Sequence, residues 1–293
     1  MAGTLYLVPT PIGNLGDISP RSIQALEEAD FVAAEDTRVT LKLLSHLGLK
    51  KSMVSYHRHN TEKMGQAVLD RLLSGESCAL VTDAGTPAIS DPGEELVAQC
   101  ARQDIPVVAI PGPCALVTAL AVSGQPTGRF TFEGFLPMNK KNRRARLEAL
   151  RGEERTMLFY EAPHKLPATL SDLAETFGAD RPVSLCRELT KLHEEVRRTT
   201  LGEAARWYQE NLPRGEFVLV VRGAQPAAPE EAILEDGLEL AGRLRTEGLS
   251  LRDSVRRAAQ ELGLSRNELY RLALERELQG ERGAAPVLEC GLE

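Results

Sequence analysis

Positive charge, paired cysteine and long apolar runs are all scarce in this 293-residue chain. Its five cysteines, an odd number with no C-x-x-C pair, argue against a disulfide framework or a zinc site. No apolar stretch approaches the roughly 18–20 residues that a membrane span needs. The opening MAGTLYLVPTP has neither the basic start nor the apolar segment of a signal peptide, so the cytoplasm is the expected compartment. A net charge of −7 has the wrong sign for a protein coated in nucleic acid, although a local basic patch is compatible with one. No internal repeat is present. The turn after the apolar run Leu5–Val8 also lacks the G-x-G-x-x-G that closes a dinucleotide fold on a pyrophosphate. Pro9 and Pro11 stand there instead, and proline has no N–H to offer a phosphate.

What is there is ordinary globular material, 42% hydrophobic and 26% charged, long enough for two domains with separate cores. Strand and helix signals alternate over the first 115 residues. Ser19 and Pro20 mark a helix start, with Ile23, Leu26 and Ala29 at helical spacing. Expected strands follow at Phe31–Ala34, Met53–Tyr56, Cys78–Thr82 and Val107–Ile110. Helices are expected over Val39–Leu47, over 61–74 and over Glu94–Arg102. Such alternation makes a mainly parallel sheet covered on both faces, with ligands beyond the carboxyl ends of its strands. The region to 223 is mixed, with strands expected at Arg129–Glu133, Thr156–Tyr160, Pro182–Arg187, Glu195–Thr199 and Glu216–Arg222. The short link between 187 and 195 points to an antiparallel pair. Residues 224–240 carry five acids and no base, a composition shift that reads as a linker. Beyond it, Ser250-x-x-Asp253 and Ser265-x-x-Glu268 are capping-box patterns around a Gly263 turn. They give a helix-turn-helix-like unit, or a plain helical cap. The expected division is 1–114, 115–223, a linker at 224–240, and a helical module at 241–293.

Several strand ends carry polar clusters. VTDAGTPAISDPG (81–93) combines Asp83, Gly85, Thr86, Ser90, Asp91 and Gly93 with prolines that stiffen the loop. Its alternative is an elaborate turn. AAEDTRVT (33–40) places Glu35, Asp36 and Arg38 at a strand end; the alternative is a helix start capped by Thr37 with acids near its dipole. SYHRHNTE (55–62) carries His57 and His59, with no third partner at metal spacing, so no metal is expected. The small residues of 115–121 suit packing against something flat. KKNRRAR (140–146), five bases in seven residues, is either an RNA footprint or a solvated helix face.

In this order, TPIGNLGDIS, EDTR, DAGTPAISDPG, PGPCALVTAL and EGFLP resemble the bacterial 16S rRNA (cytidine-2′-O)-methyltransferases of the tetrapyrrole methylase superfamily. FYEAPHK, CRELTK and GEFVLVV extend the match to residue 221, and the tail resembles that family's small helical module. The resemblance implies two α/β domains of tetrapyrrole-methylase type with an S-adenosyl-L-methionine cleft between them, plus the helical module. It also implies a homodimer and methyl transfer to a cytidine ribose in the decoding centre of the small ribosomal subunit. Thr10–Gly13 and Asp83–Thr86 stand where the tetrapyrrole enzymes carry a glycine-rich loop and a G-D-P motif, so those contacts transfer only as loop positions.

The cofactor has no phosphate, and a proline-stiffened first turn suits walling its slot. Thr10 and Pro11 of that turn are cofactor candidates as its wall, and Asp83, Ala84, Gly85, Thr86 and Pro87 are the candidates for the methionine end. Ala115, Tyr160 and Glu188 are the candidates for adenosine. The ribose proton needs a base or support for a developing alkoxide. The candidates are Glu35, Asp36 and His57, whose imidazole has an intrinsic pKa near ~6.5, with Arg38 as an oxyanion partner. Lys140, Lys141, Arg143, Arg144 and Arg146, with Arg266 and Arg271 of the tail, are the candidates for RNA phosphates. Two rival readings share the fold: a methylase of a small tetrapyrrole precursor, and a non-catalytic RNA-binding protein.

Overall fold

Residues 2–225 and 231–282 are described by the structure, a computed structural model, with backbone alone at 231–233 and 277–282. The chain divides into a compact unit up to Ala224 and a second one from Gln225.

The first unit holds two five-stranded sheets. Strands β1 (Leu5–Leu7), β2 (Phe31–Ala34), β3 (Ser52–Ser55), β4 (Cys78–Val81) and β5 (Val107–Ala109) form an all-parallel sheet in the order β3-β2-β4-β1-β5. Helices α1 (Pro20–Glu28) and α2 (Thr37–His46) cover one face; α3 (Thr61–Leu73) and α4 (Glu94–Arg102) cover the other. Alternation along β2 explains the layering. Phe31 and Ala33 pack with Leu69, Leu72 and Leu96, while Val32 and Ala34 pack with Ala25, Leu26 and Leu44. Both faces are therefore apolar, which is why this strand reads as an unbroken hydrophobic run.

The second sheet has the order β6-β7-β10-β8-β9, from β6 (Phe130–Phe135), β7 (Thr156–Glu161), β8 (Pro182–Arg187), β9 (Glu195–Thr200) and β10 (Phe217–Val221). β6 and β7 are parallel and the other pairs antiparallel, including the expected β8–β9 pair. Helices α6 (Lys140–Ala149), α7 (Leu166–Phe177) and α8 (Leu201–Glu210) build a core on one face. On the other face lies α5 (Ala115–Ser123), whose Leu116, Ala119 and Leu120 pack with Leu158 and Val220. The flat partner of the small-residue helix is thus the second sheet.

Helix α2 starts two residues earlier than its apolar stripe indicates, because Asp36 rather than Thr37 is the cap, its carboxylate accepting from Arg38 N at 2.8 Å.

In the second unit, α9 (Glu231–Thr246), α10 (Leu251–Leu262) and α11 (Arg266–Arg282) share a core of Leu234, Ala241, Val255, Ala258, Leu269 and Ala273. The expected linker at 224–240 is corrected here, since helix α9 occupies it from Glu231. Glutamate, four of the five acids, is a good helix former, and Leu234, Leu238 and Ala241 lie at helical spacing beneath them. Ser250 caps α10 by accepting from Asp253 N, and Gly263 ends it with φ 67°.

Candidate active site

All five parallel strands of the first sheet end at one edge, so their following loops converge. The loop after β4 is tied to the loop after β1 by a backbone pair: Thr10 N donates to Gly85 O at 2.9 Å and Gly85 N to Thr10 O at 3.0 Å. Gly85 has φ 87°, the left-handed region. Thr86 Oγ1 donates to Pro113 O at 2.9 Å, which joins the loop after β5 to the same frame. The turn of Pro9 and Pro11 thus holds the loop after β4 in place.

Against this edge lie the ends of the second sheet, and between them is a cleft of about 510 Å³. One wall carries Ile12, Glu35, Asp83–Thr86 and Asp91; the other carries Tyr160, Ala162, Leu189, Phe217 and Val218. Tyr160 is fixed by Phe132 at 4.9 Å between ring centroids, and its hydroxyl accepts from Leu116 N at 3.2 Å. The walls also approach each other at Gly134, a bulge residue with φ 62°, where a Cβ would lie 3.3 Å from Ser90 Oγ. Among the described residues, four of the five non-glycine residues with positive φ are Ala88, Ser90, Glu188 and Thr190, in the two loops that face each other here. Strain of this kind persists where surrounding structure holds it, and it gathers at functional sites.

The cleft is acidic. Burial lifts the Glu35 carboxyl above its ordinary range, against the hydrogen bond from Asp83 N at 3.3 Å. Asp83 is lifted by burial and then by the charge of Asp36. Asp91 is pushed up to about 6 by burial and by the charge of Glu35. Asp36 goes the other way: side-chain hydrogen bonds from Arg38 hold it down at about 2.

Of the residues singled out in the sequence, Glu35, Asp83, Ala84, Gly85, Thr86, Ala115 and Tyr160 line this cleft. Others do not. Asp36 caps α2 and pairs with Arg38, whose side chain is 87% exposed to solvent. The His57 ring packs edge-on with His59 in the turn before α3. Thr10 and Pro11 line a separate cleft of about 220 Å³ with Leu15, Val39 and Leu43. Pro87 is buried in its loop, and Glu188 is held by Lys191 Nζ and Glu216 N, each at 2.9 Å. Sequence reading named Asp91 without giving it a role and left out Ile12, Phe217 and Val218. Asp91 stood inside a quoted motif; the apolar residues had no signal beyond a strand pattern.

The basic helix also sorts differently. Arg143 forms an ion pair with Asp172 at 2.7 Å, and the two side chains are only 13% and 7% exposed, so Arg143 is corrected from phosphate contact to packing. Arg144 pairs with Glu175 and Arg146 with Glu133, each at 2.5 Å. Lys140 and Lys141 remain exposed, as do Arg266 and Arg271 on α11. Among the described residues no group of acids, cysteines and histidines could hold a metal ion, and no helix is long and apolar enough to cross a membrane.

Residues 4–205 match the model of the Tetrapyrrole (Corrin/Porphyrin) Methylases, and residues 231–277 match that of the RsmI C-terminal HTH domain. Curated relatives include the Ribosomal RNA small subunit methyltransferase I of Synechocystis sp., 48% identical over 95% of this chain and 100% of its own length. The protein of that name from Escherichia coli O157:H7 is 44% identical over 94% and 96%. Among solved structures, uroporphyrin-III-C-methyltransferase from Thermus thermophilus shares the fold at 21% identity and TM-score 0.54, over 74% of this chain and 94% of its own. Diphthine synthase does so at 15% and 0.57, over 75% and 90%. With its paired sheets, its cleft and a family match over most of its length, the chain belongs to the tetrapyrrole (corrin/porphyrin) methylase family.

Proposed function

We propose that this protein methylates the ribose 2′-oxygen of a cytidine in 16S rRNA, with S-adenosylmethionine as methyl donor. The observation that carries the reading is the cleft together with the near-full-length likeness to two ribosomal RNA small subunit methyltransferases. The donor fits the residues present. It is a cation with a flat aromatic nucleobase, and the cleft sets carboxylates on one wall against an apolar wall of Leu189, Phe217 and Val218 suited to the face of the ring. Asp83, Ala84, Gly85 and Thr86 would hold its amino-acid end, and Ala115, Tyr160 and Ala162 its adenosine. When bound, it supplies a methyl group on a positively charged sulfur.

The chain's own task is orientation. Oxygen, methyl carbon and sulfur have to lie in line, and holding them so accounts for much of the barrier in such displacements. The frame made by the Thr10–Gly85 pair and the Thr86–Pro113 bond keeps one wall rigid for this purpose. The RNA contacts would come from Lys140 and Lys141 and from Arg266 and Arg271, which are exposed. The reading extends to a domain boundary at 114/115, a homodimer and the cytoplasm, where the small subunit is found. Sedimentation at micromolar concentration tests the dimer: a single species of about one chain mass would refute it. A small tetrapyrrole substrate is the second reading, favoured by the shared fold of the uroporphyrin enzyme. Methyl transfer from labelled donor to small subunits, with a porphyrinoid in a parallel reaction, separates the two. Calorimetric titration with the donor tests the non-catalytic alternative, which no binding would favour.

A further inference from the structure

We propose that Asp91 is the catalytic group that takes the proton from the attacking ribose hydroxyl, an assignment that rests on the methyltransferase reading above. Five carboxylates line the cleft: Glu35, Asp83, Asp91, Glu161 and Glu216. Four are tied to protein donors. Glu35 accepts from Asp83 N, and Asp83 from Asp36 N at 3.2 Å. Glu161 accepts from Ala162 N at 2.9 Å and from Thr169 Oγ1 at 2.6 Å. Glu216 pairs with Lys191 at 2.9 Å. Asp91 alone of the five has no hydrogen bond or ion pair among the described residues, though it is half-buried. A desolvated carboxylate without a donor is costly to keep, and a ligand with a hydroxyl to share would satisfy it.

The loop holds Asp91 in this position at a further cost. Ala88 and Ser90 take φ of 69° and 63°, and Ala88 N donates to Pro92 O at 3.3 Å, closing the turn around them. Gly93 then leads into α4 at φ 140°, where a Cβ would lie 2.8 Å from Leu80. The charged and titratable groups facing Asp91 are Glu35 at the end of β2, Arg58 after β3, Asp83 on the same loop and Tyr160 on β7. Burial and the two acids outweigh Arg58, and the carboxyl is pushed up to about 6. Near that value a carboxylate is ionised at neutral pH and still a competent acceptor. Asp36, held at about 2, is a far weaker one.

The step balances as follows. The ribose O2′ forms a bond to the methyl carbon while the carbon–sulfur bond breaks, and that electron pair stays on sulfur, cancelling its charge. The proton on O2′ passes to a carboxylate oxygen of Asp91 and leaves to water in the next cycle.

The test compares wild type, Asp91→Asn and Asp91→Glu as full chains in single-turnover methylation of small ribosomal subunits between pH 5 and 9. Donor affinity is measured by calorimetry on the same preparations. The expected result has three parts. Wild type loses rate about tenfold per pH unit below about 6. Asp91→Asn is slower by roughly 100-fold or more at pH 7.5, lacks that acid limb, and binds the donor within about threefold of wild type. Asp91→Glu recovers part of the rate and a limb. Asp91→Asn with wild-type rate and an intact acid limb would overturn the assignment. So would a loss confined to donor affinity, with transfer normal at saturation, since Asp91 would then be a binding group only. If the wild type binds donor and methylates no RNA, the functional reading fails and the assignment falls with it.

Discussion

Asp91 and Asp36 lie on neighbouring loops and are pushed in opposite directions, and the difference bears on stability as well as rate. The folded-state pKa of Asp91, about 6, is above its ordinary 3.8, so the folded protein holds that proton more tightly than the unfolded chain. Its contribution is therefore favourable below about 4 and is lost as pH rises toward 6. The shift corresponds to about 3 kcal/mol, which solvent screening of a half-buried group reduces to about 1 kcal/mol. Asp91→Asn should then raise Tm at pH 7.5 by roughly 2–4 °C, with the gain gone at pH 4. Calorimetry at the two pH values checks this, and a lower Tm at pH 7.5 would contradict it. Gly85→Val should act in the other direction. A Cβ there meets Ile12 at 3.5 Å, an ordinary contact, so the cost comes from φ 87°. About 1–2 kcal/mol of stability should be lost, and donor affinity should fall as the Thr10–Gly85 pair loosens. Unchanged donor affinity would show that this loop is no part of the binding wall. DAGTPAISDPG was legible as a rigid loop at a strand end. The role of Asp91 was not, because partnerlessness is a property of the whole cleft.

At the scale of an element, α6 shows what a charge run does and does not reveal. Five bases in seven residues read as one patch, yet three of them have acids from elsewhere in the chain. Asp172 and Glu175 come from α7 and Glu133 from β6, distances in sequence that no local pattern spans. Arg143→Ala should therefore destabilise the protein by up to about 3 kcal/mol, since it leaves the buried Asp172 with only the longer contact to Arg144 at 3.4 Å. It should leave the salt dependence of RNA binding unchanged. Lys140→Ala with Lys141→Ala should leave Tm unchanged and flatten the salt slope by up to about two contacts, roughly 0.7–0.9 each. Urea unfolding and filter binding at several salt concentrations measure the two effects. A reversal, with Arg143 governing the slope, would return that side chain to the RNA. The acidic stretch before α10 teaches a related lesson. Five acids in a row of seventeen residues looked like a linker, while the apolar spacing of Leu234, Leu238 and Ala241 had already written a helix.

For the molecule as a whole, the parallel sheet was legible because its central strands β2 and β4 are buried throughout and stand out as apolar runs, with helix signals between the strands. The cleft was only half legible. Its polar wall follows strand ends within the first 93 residues, whereas its apolar wall is assembled from β7, β8 and β10, which meet only through antiparallel pairing. The second unit has its own core, and its match to the RsmI C-terminal HTH domain motivates a division of labour. A chain ending at Ala224 should keep wild-type donor affinity and lose roughly tenfold or more in affinity for 16S rRNA. Equal RNA affinity would place recognition wholly in the first unit.

The central claim is that the cleft delivers a methyl group to a ribose oxygen in ribosomal RNA. The most direct measurement is mass spectrometry of nucleosides from small subunits incubated with the protein and isotope-labelled S-adenosylmethionine. The expected result is label on the 2′-oxygen of cytidine at one position of 16S rRNA. Label on a nucleobase, or none on RNA together with transfer to a porphyrinoid, would contradict it.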